Sequence, residues 1–177
     1  MKNIIVSENG FNNSDPYAII QSNITVVNLL LEEGYDPELI KKEAFISYYV
    51  DYYLAQVNNG GFAQFVYNSS WNEEIVLLIE EGLESMKATL HLAYFRNRAK
   101  FVSSLAEEVI DAFLETDLFG ENKLRDQMND DSFYTIKEDL IALNSSWLKK
   151  QPDLLVLSID NMFVELEKIL GKEISKN

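Results

Sequence analysis

The sequence predicts an all-α protein, a single-domain helical bundle of about seven to eight helices around a central buried helix at about residues 37–57. Three observations support this class. Apolar residues recur at helical spacing through most of the chain, prolines and glycines stand where helices begin and end, and no convincing strand alternation is found. A length of 177 residues fits one domain.

Proline and glycine positions predict three of the helices. Each proline has an aspartate beside it, and proline is favoured in the first turn of a helix, where its missing N–H is no loss. Gly34 and Gly171 follow apolar-periodic segments, as helix C-caps do. These marks predict helices at about residues 16–33, 37–57 and 153–170.

The helix at 37–57 is apolar on nearly every side. Only Glu43, Ser47 and Asp51, spaced by four, leave a narrow polar stripe. A helix with this pattern is usually covered by neighbours on several sides, so we place it at the centre of the bundle. Asn58-Asn59-Gly60-Gly61 then predicts a sharp turn, because glycine and asparagine tolerate a positive φ, and a short helix follows it.

Two further helices are predicted from capping boxes. Ser70 with Glu73, and Ser104 with Glu107, have the required spacing. They predict a helix at about 72–84 and another from about 107. Helical spacing of apolar residues also predicts a helix that includes Leu140, Leu143 and Trp147.

Three stretches are predicted to lie outside regular structure. Residues 1–14 are expected to form a loose N-terminal arm, and residues 172–177 a frayed C-terminus. Residues 116–131 lack periodicity and are expected to form a mostly irregular connection.

Charge and composition limit the classes of function. Twenty-nine acidic residues against 15 basic ones give a net charge of −14, which argues against direct binding to nucleic acid. The same charge favours a basic protein partner, although acidic surfaces also serve solubility alone. The chain has no cysteine, no signal-peptide pattern and no apolar run long enough for a membrane span. We therefore expect a cytoplasmic protein without membrane association.

The sequence offers no reactive constellation. His91, the only histidine, shares a helical face with Lys87 and Arg98, so we expect it to be solvated. There is no Glu-x-x-His metal motif, no nucleophile elbow and no phosphate-binding loop. We predict no catalytic residue, no metal site and no cofactor, and hence a protein that is not an enzyme.

One segment, Gln56–Ser70 with the sequence QVNNGGFAQFVYNSS, resembles the hallmark of the DNA-mimic protein 19 family. We call it the hallmark segment. The resemblance implies an all-helical, acidic and often dimeric protein, whose namesake presents carboxylates like DNA phosphates to a helix-turn-helix regulator. We interpret the hallmark as a fold determinant. Its main residues are Asn58, Asn59, Gly60, Gly61, Phe62, Gln64 and Asn68.

Carboxylates at helical spacing are the candidate partner-binding residues. Acids three or four positions apart on a helix lie about 5–6 Å from each other, within reach of basic side chains that bind phosphate. The candidates are Glu73, Glu74, Glu80, Glu81, Glu84, Glu107, Glu108, Asp111 and Glu115. The basic segment Lys87–Lys100 departs from a uniformly negative mimic, unless it serves self-association or intramolecular pairing.

Two alternative functions stay open at this point. One is an immunity-type or antitoxin-like protein that binds a basic toxin. The other is a small-ligand binder or enzyme at the Asn-Asn-Gly-Gly turn, with Asn58, Asn59, Gln64 and Asn68 lining a pocket.

Overall fold

A computed structural model describes residues 1–174 and is mainly α-helical, which confirms the predicted class. Its elements in chain order are β1 (Ile4–Ser7), α1 (Glu8–Phe11), α2 (Tyr17–Glu32), α3 (Lys42–Ser69), α4 (Glu73–Ser85), α5 (Thr89–Val102), α6 (Glu107–Leu114), α7 (Lys123–Met128), α8 (Leu140–Leu148), β2 (Leu154–Leu157) and α9 (Ile159–Leu170). Short 3₁₀ helices cover Pro37–Leu39 and Asp131–Thr135. Within the described residues, no helix combines the length and apolar character that crossing a membrane requires.

The chain forms two compact units. Residues Met1–Tyr48, together with the chain from Ile141 onward, make the terminal unit, and Tyr49–Leu140 make the central unit. α3 contributes its first seven residues, 42–48, to the terminal unit and the rest to the central unit. The single all-helical domain over 1–177 stays a prediction.

The terminal unit contains a small parallel sheet that the sequence analysis missed. β1 pairs with β2 in the register Ile4 to Leu154 through Ser7 to Leu157. Ile4, Ile5 and Val6 are buried, so the loose arm predicted for residues 1–14 is wrong. The helix predicted at 153–170 is shorter than expected, because its first residues form β2 and α9 begins after its N-cap, Ser158. The two strands lie about 150 residues apart along the chain, so neither carries a local pairing signal.

Buried amides connect the helices of the terminal unit. Asn23 of α2 donates from Nδ2 to the Ala44 carbonyl oxygen at 2.9 Å, and Asn144 of α8 donates in the same way to Ser47. Both asparagines are almost fully buried, so these hydrogen bonds offset the cost of removing a polar group from water.

The described C-terminal end of the chain packs against the rest of the terminal unit. Lys172 Nζ lies 2.7 Å from a carboxylate oxygen of Glu33, and Ile174 is buried. The predicted fraying is therefore wrong for residues 172–174, and residues 175–177 lie outside the described part of the chain.

The central unit has an aromatic core. Tyr53 is fully buried, and its ring meets Phe95 at 5.2 Å and Phe65 at 5.9 Å between centroids, both nearly perpendicular. Tyr94 and Phe133 are 5.3 Å apart. Edge-to-face geometry suits the quadrupoles of the rings, and each large ring brings substantial apolar area into the core.

Several helix boundaries differ from those predicted. α3 begins at Lys42, because Pro37 starts a separate 3₁₀ helix capped by Asp36 and Ile40 is extended. Both predicted capping boxes are wrong. Asn72 caps α4 through its side chain, and α6 begins after Ala106 with no side-chain cap. The connection at 116–131 contains α7, which Asn122 caps.

We expect Ile5→Ala to lower the free energy of unfolding of the terminal unit by about 2–5 kcal/mol, since it opens a cavity under the sheet. The measurement is a denaturant titration followed by circular dichroism. Ile159→Ala removes the same atoms from a side chain that is 49% exposed, and should cost less than about 1 kcal/mol. Equal losses would show that β1 is not part of the core.

Candidate functional site

α3 contains a kink at the two glycines of the hallmark segment. Gly60 adopts φ −150° and ψ 20°, and Gly61 adopts φ 79° and ψ −177°. The conformation of Gly61 is open almost only to glycine. Helical structure therefore stops and restarts here, and the chain changes direction without a loop.

Each glycine makes room for a carboxamide. A Cβ atom at Gly60 would overlap the side chain of Gln64, and one at Gly61 would overlap the side chain of Asn129. Asn129 Oδ1 accepts a hydrogen bond of 2.9 Å from the Ala63 N–H, one of the free amides at the start of the second half of α3. Asn129 thus caps the restarted helix from 66 residues away along the chain.

A second amide cluster spans the kink. Gln56 Oε1 accepts hydrogen bonds from Gln64 Nε2 at 2.9 Å and from Asn68 Nδ2 at 2.6 Å. Asn58 and Asn59 are exposed. The structure therefore joins Gln64 and Asn68 to Gln56 along α3, so these two amides make hydrogen bonds within their own helix.

Phe62 anchors the kink to the aromatic core. It is fully buried, and its ring lies 5.4 Å from Phe65, 5.9 Å from Phe95 and 6.2 Å from Trp71, between centroids. These contacts, with the glycine geometry, support the interpretation of the hallmark segment as a fold determinant.

The candidate acids of α4 fall into two groups. Glu73 and Glu74 occupy the first turn and are exposed, as is Glu81. Glu80 and Glu84 face Arg96 of α5, with Arg96 Nε 2.7 Å from Glu80 and Arg96 Nη2 3.7 Å from Glu84. Part of the basic segment is therefore used for pairing inside the central unit.

The acids of α6 are all exposed. Glu107 and Glu108 stand in the first turn, where negative charge favours the helix dipole, and Asp111 and Glu115 follow at helical spacing. The opposite side of α6 is held by buried Phe113, whose ring lies 6.0 Å from that of Tyr67.

Both acidic helices belong to the central unit, which carries most of the charge. Between Tyr49 and Leu140 there are 17 acidic and seven basic residues, so this unit contributes −10 of the total of −14. The negative field is therefore concentrated in one unit.

Glu138 performs a structural task that the sequence analysis did not identify. Its carboxylate accepts hydrogen bonds from the backbone N–H groups of Leu90 at 2.8 Å and His91 at 3.0 Å, and from Thr89 Oγ1 at 3.1 Å. The N-cap residue of α5, Ala88, has no side chain that could do this. A cap supplied from 48 residues away has no local sequence signal.

His91 is buried, so the expectation of a solvated histidine is wrong. Only 4% of it is exposed, and its ring packs 5.6 Å from Phe133 and 6.4 Å from Tyr53. Burial lowers the pKa of His91, and the nearby Glu138 opposes that shift only in part. The prediction relied on the helical face that His91 shares with Lys87 and Arg98. The edge of that face on which His91 lies packs against the aromatic core.

A metal centre is not evident in the part of the chain that the structure describes. Residues 1–174 contain no group of three or more histidine, aspartate or glutamate side chains positioned to hold an ion.

A family model described as DMP19-like protein matches residues 38–151, which is more than half of the chain. The chain belongs to the DMP19-like protein family. This confirms the family suggested by the hallmark segment, and the match includes all of α3, α4, α5 and α6. No curated protein and no solved structure shows significant similarity to this DMP19-like chain.

We expect Gly61→Ala to destabilise the central unit by about 3 kcal/mol or more, since it adds an overlap with Asn129 to an unfavourable backbone conformation. Gly34→Ala is the matched control. Gly34 has a φ of 77°, close to that of Gly61, but a Cβ there meets nothing within 4 Å. It should cost only the left-handed backbone penalty of about 1–2 kcal/mol. Thermal unfolding of both variants tests the difference, and equal losses would contradict both the overlap with Asn129 and the special backbone conformation assigned to Gly61.

We also expect His91 to make stability depend on pH. Because its pKa is lowered in the folded state, the unfolded chain gains a proton near pH 6.5 that the folded chain excludes. Stability is therefore retained above about pH 6.5 and falls as the pH drops below it.

The test compares the wild type with His91→Phe, which keeps an aromatic ring in the core. The unfolding free energy of each is measured at about pH 7.5 and about pH 5. The wild type should lose more stability on acidification than the variant. The same loss in both proteins would assign the effect to carboxylates instead.

Proposed function

We propose that this protein is an acidic interaction module that binds the basic nucleic-acid-binding surface of a protein partner, in the manner of a DNA mimic. The observation that carries the proposal is the placement of exposed carboxylates on α4 and α6 of a unit with a net charge of −10. As the partner we propose a helix-turn-helix regulator, which the family resemblance implies, and as the location the cytoplasm.

Helical spacing supports the proposal. Glu107, Asp111 and Glu115 follow one another at intervals of four residues, so their carboxylates line one face of α6 and its end. Arginine and lysine side chains that bind phosphate oxygens bind carboxylate oxygens by the same charge-assisted hydrogen bonds. Since most protein–DNA contacts are made to the backbone, a row of carboxylates can occupy such a surface without imitating bases.

The pairing of Arg96 sharpens the proposal. Glu80 and Glu84 already interact with a cation of their own unit, so they offer less to a partner than Glu73 and Glu74 do. We therefore place the main partner-binding role on the start of α4 and on α6.

A small-ligand or enzymatic role at the Asn-Asn-Gly-Gly turn has less support. The side-chain amides of Gln64 and Asn68 donate hydrogen bonds to Gln56. The carboxamides of Gln64 and Asn129 occupy the space beside Gly60 and Gly61. A basic toxin would bind the same carboxylates. The experiment below distinguishes a toxin from a DNA-binding regulator.

The proposal is tested by affinity capture from host lysate, with identification of the retained protein. We expect a basic DNA-binding protein whose capture falls steeply between about 50 and 500 mM salt, and which double-stranded DNA displaces. Capture that is insensitive to salt, or that coexists with bound DNA, would contradict the proposal. A basic partner without affinity for DNA would favour the toxin-binding alternative.

A charge-matched pair of variants locates the binding surface. In the first, Glu107, Glu108, Asp111 and Glu115 are changed to their amides. In the second, the same is done to four exposed acids of the terminal unit, Glu32, Glu38, Asp160 and Glu173. The first variant should lose most of the captured partner and the second should retain it. Equal losses would show that only net charge matters.

A further inference from the structure

A cleft of about 480 Å³ opens on the central unit beside α5 and the 3₁₀ helix Asp131–Thr135. Its apolar lining comes from Leu90, Tyr94 and Ile136. Leu90 is 52% exposed, so a large aliphatic side chain faces solvent at this place. The cleft is thus large enough for one extended side chain and offers it an apolar wall.

The polar lining of the cleft includes a single charged group. Among the described residues that line the cleft, only Asp130 is charged at neutral pH. Its side chain is 36% exposed. Hydrogen bonds from Ser132 lower the pKa of Asp130, so the carboxylate is ionised at neutral pH.

Ser132 and Arg98 both interact with that carboxylate. Asp130 Oδ1 accepts from the Ser132 N–H at 2.8 Å. The Ser132 side chain also hydrogen-bonds to this carboxylate. Asp130 Oδ2 forms an ion pair with Arg98, whose Nη2 lies 3.9 Å away, beyond hydrogen-bond distance, and donates to Asn97 Oδ1 at 2.6 Å. A carboxylate offers about four acceptor positions, so Asp130 can accept further hydrogen bonds at the edge of this apolar cleft.

This combination fits a long cationic side chain. Aliphatic carbons can lie along Leu90 and Ile136 while the charged end reaches Asp130. A guanidinium suits the site better than an ammonium, because it is more weakly hydrated and donates in a planar fork that matches a carboxylate.

We propose that this cleft binds an arginine side chain, with the carboxylate of Asp130 holding the guanidinium and Leu90 and Ile136 covering the aliphatic stem. The inference rests on the proposed function for the source of the arginine, which is the basic partner. Binding of an arginine side chain depends only on the residues of the cleft, so it can be tested without a partner protein.

The experiment is a titration of the isotope-labelled full chain with Nα-acetylarginine amide, followed through backbone amide chemical shifts. We expect saturable shifts at Asn97, Ser132 and Thr135. The neutral isostere Nα-acetylcitrulline amide has the same shape without the charge, and should bind at least about fivefold more weakly. Equal binding of the two probes, or shifts that do not saturate at these residues, would overturn the proposal.

Two variants test the assigned carboxylate. Asp130→Asn keeps an acceptor for the Ser132 N–H and should weaken binding of the arginine probe by about fivefold. Asp160→Asn removes the same charge from an exposed residue of the terminal unit, outside the cleft lining, and should leave binding unchanged. Equal effects of the two variants would overturn the assignment. If Asp130→Asn does not fold, the two probes on the wild type decide.

The outcome is separable from that of the proposed function. Loss of probe binding with intact salt-dependent partner capture refutes the cleft and leaves the acidic module. Probe binding without any captured basic partner supports the cleft and refutes the module.

Discussion

The central unit depends on the close packing of two carboxamides against two glycines. Gln64 lies over Gly60 and Asn129 lies against Gly61, and neither position has space for a Cβ atom. The two halves of α3 run in different directions on either side of the kink. Tyr53 in the first half and Phe62 in the second half therefore pack into the same aromatic core. Asn129 then satisfies the Ala63 N–H that the interruption leaves free. The kink is therefore built into the packing and is not a flexible point.

The surface of the central unit is built on this core. α4 and α5 are joined by the Arg96 ion pairs to Glu80 and Glu84, and α6 is anchored by the Phe113 ring against Tyr67. Helices that are anchored to a packed core hold their exposed carboxylates at constant spacing. A binding groove lined by basic side chains needs acceptors at such fixed positions. Arg96 of α5 pairs with Glu80 and Glu84, and so reduces the negative charge of one part of α4.

Buried polar groups of the same unit illustrate how distant residues complete local structure. Glu138 caps α5 in place of Ala88, and its own segment is thereby held next to His91. His91 Nδ1 and the Tyr53 hydroxyl have no hydrogen-bond partner among the described residues, although both are buried. Such unpaired groups cost stability. Burial lowers the pKa of His91 and so favours its neutral form.

The sequence alone determined the helical class, the family and the turn at Gly60-Gly61, because helical periodicity and glycine conformation are local properties. Tertiary structure alone decided the partners of those residues. The pairing of β1 with β2, the Glu138 cap, the burial of His91 and the contact of Asn129 with Gly61 each join residues at least 38 positions apart. Spacing within one segment cannot encode such contacts, since they exist only after the chain has folded.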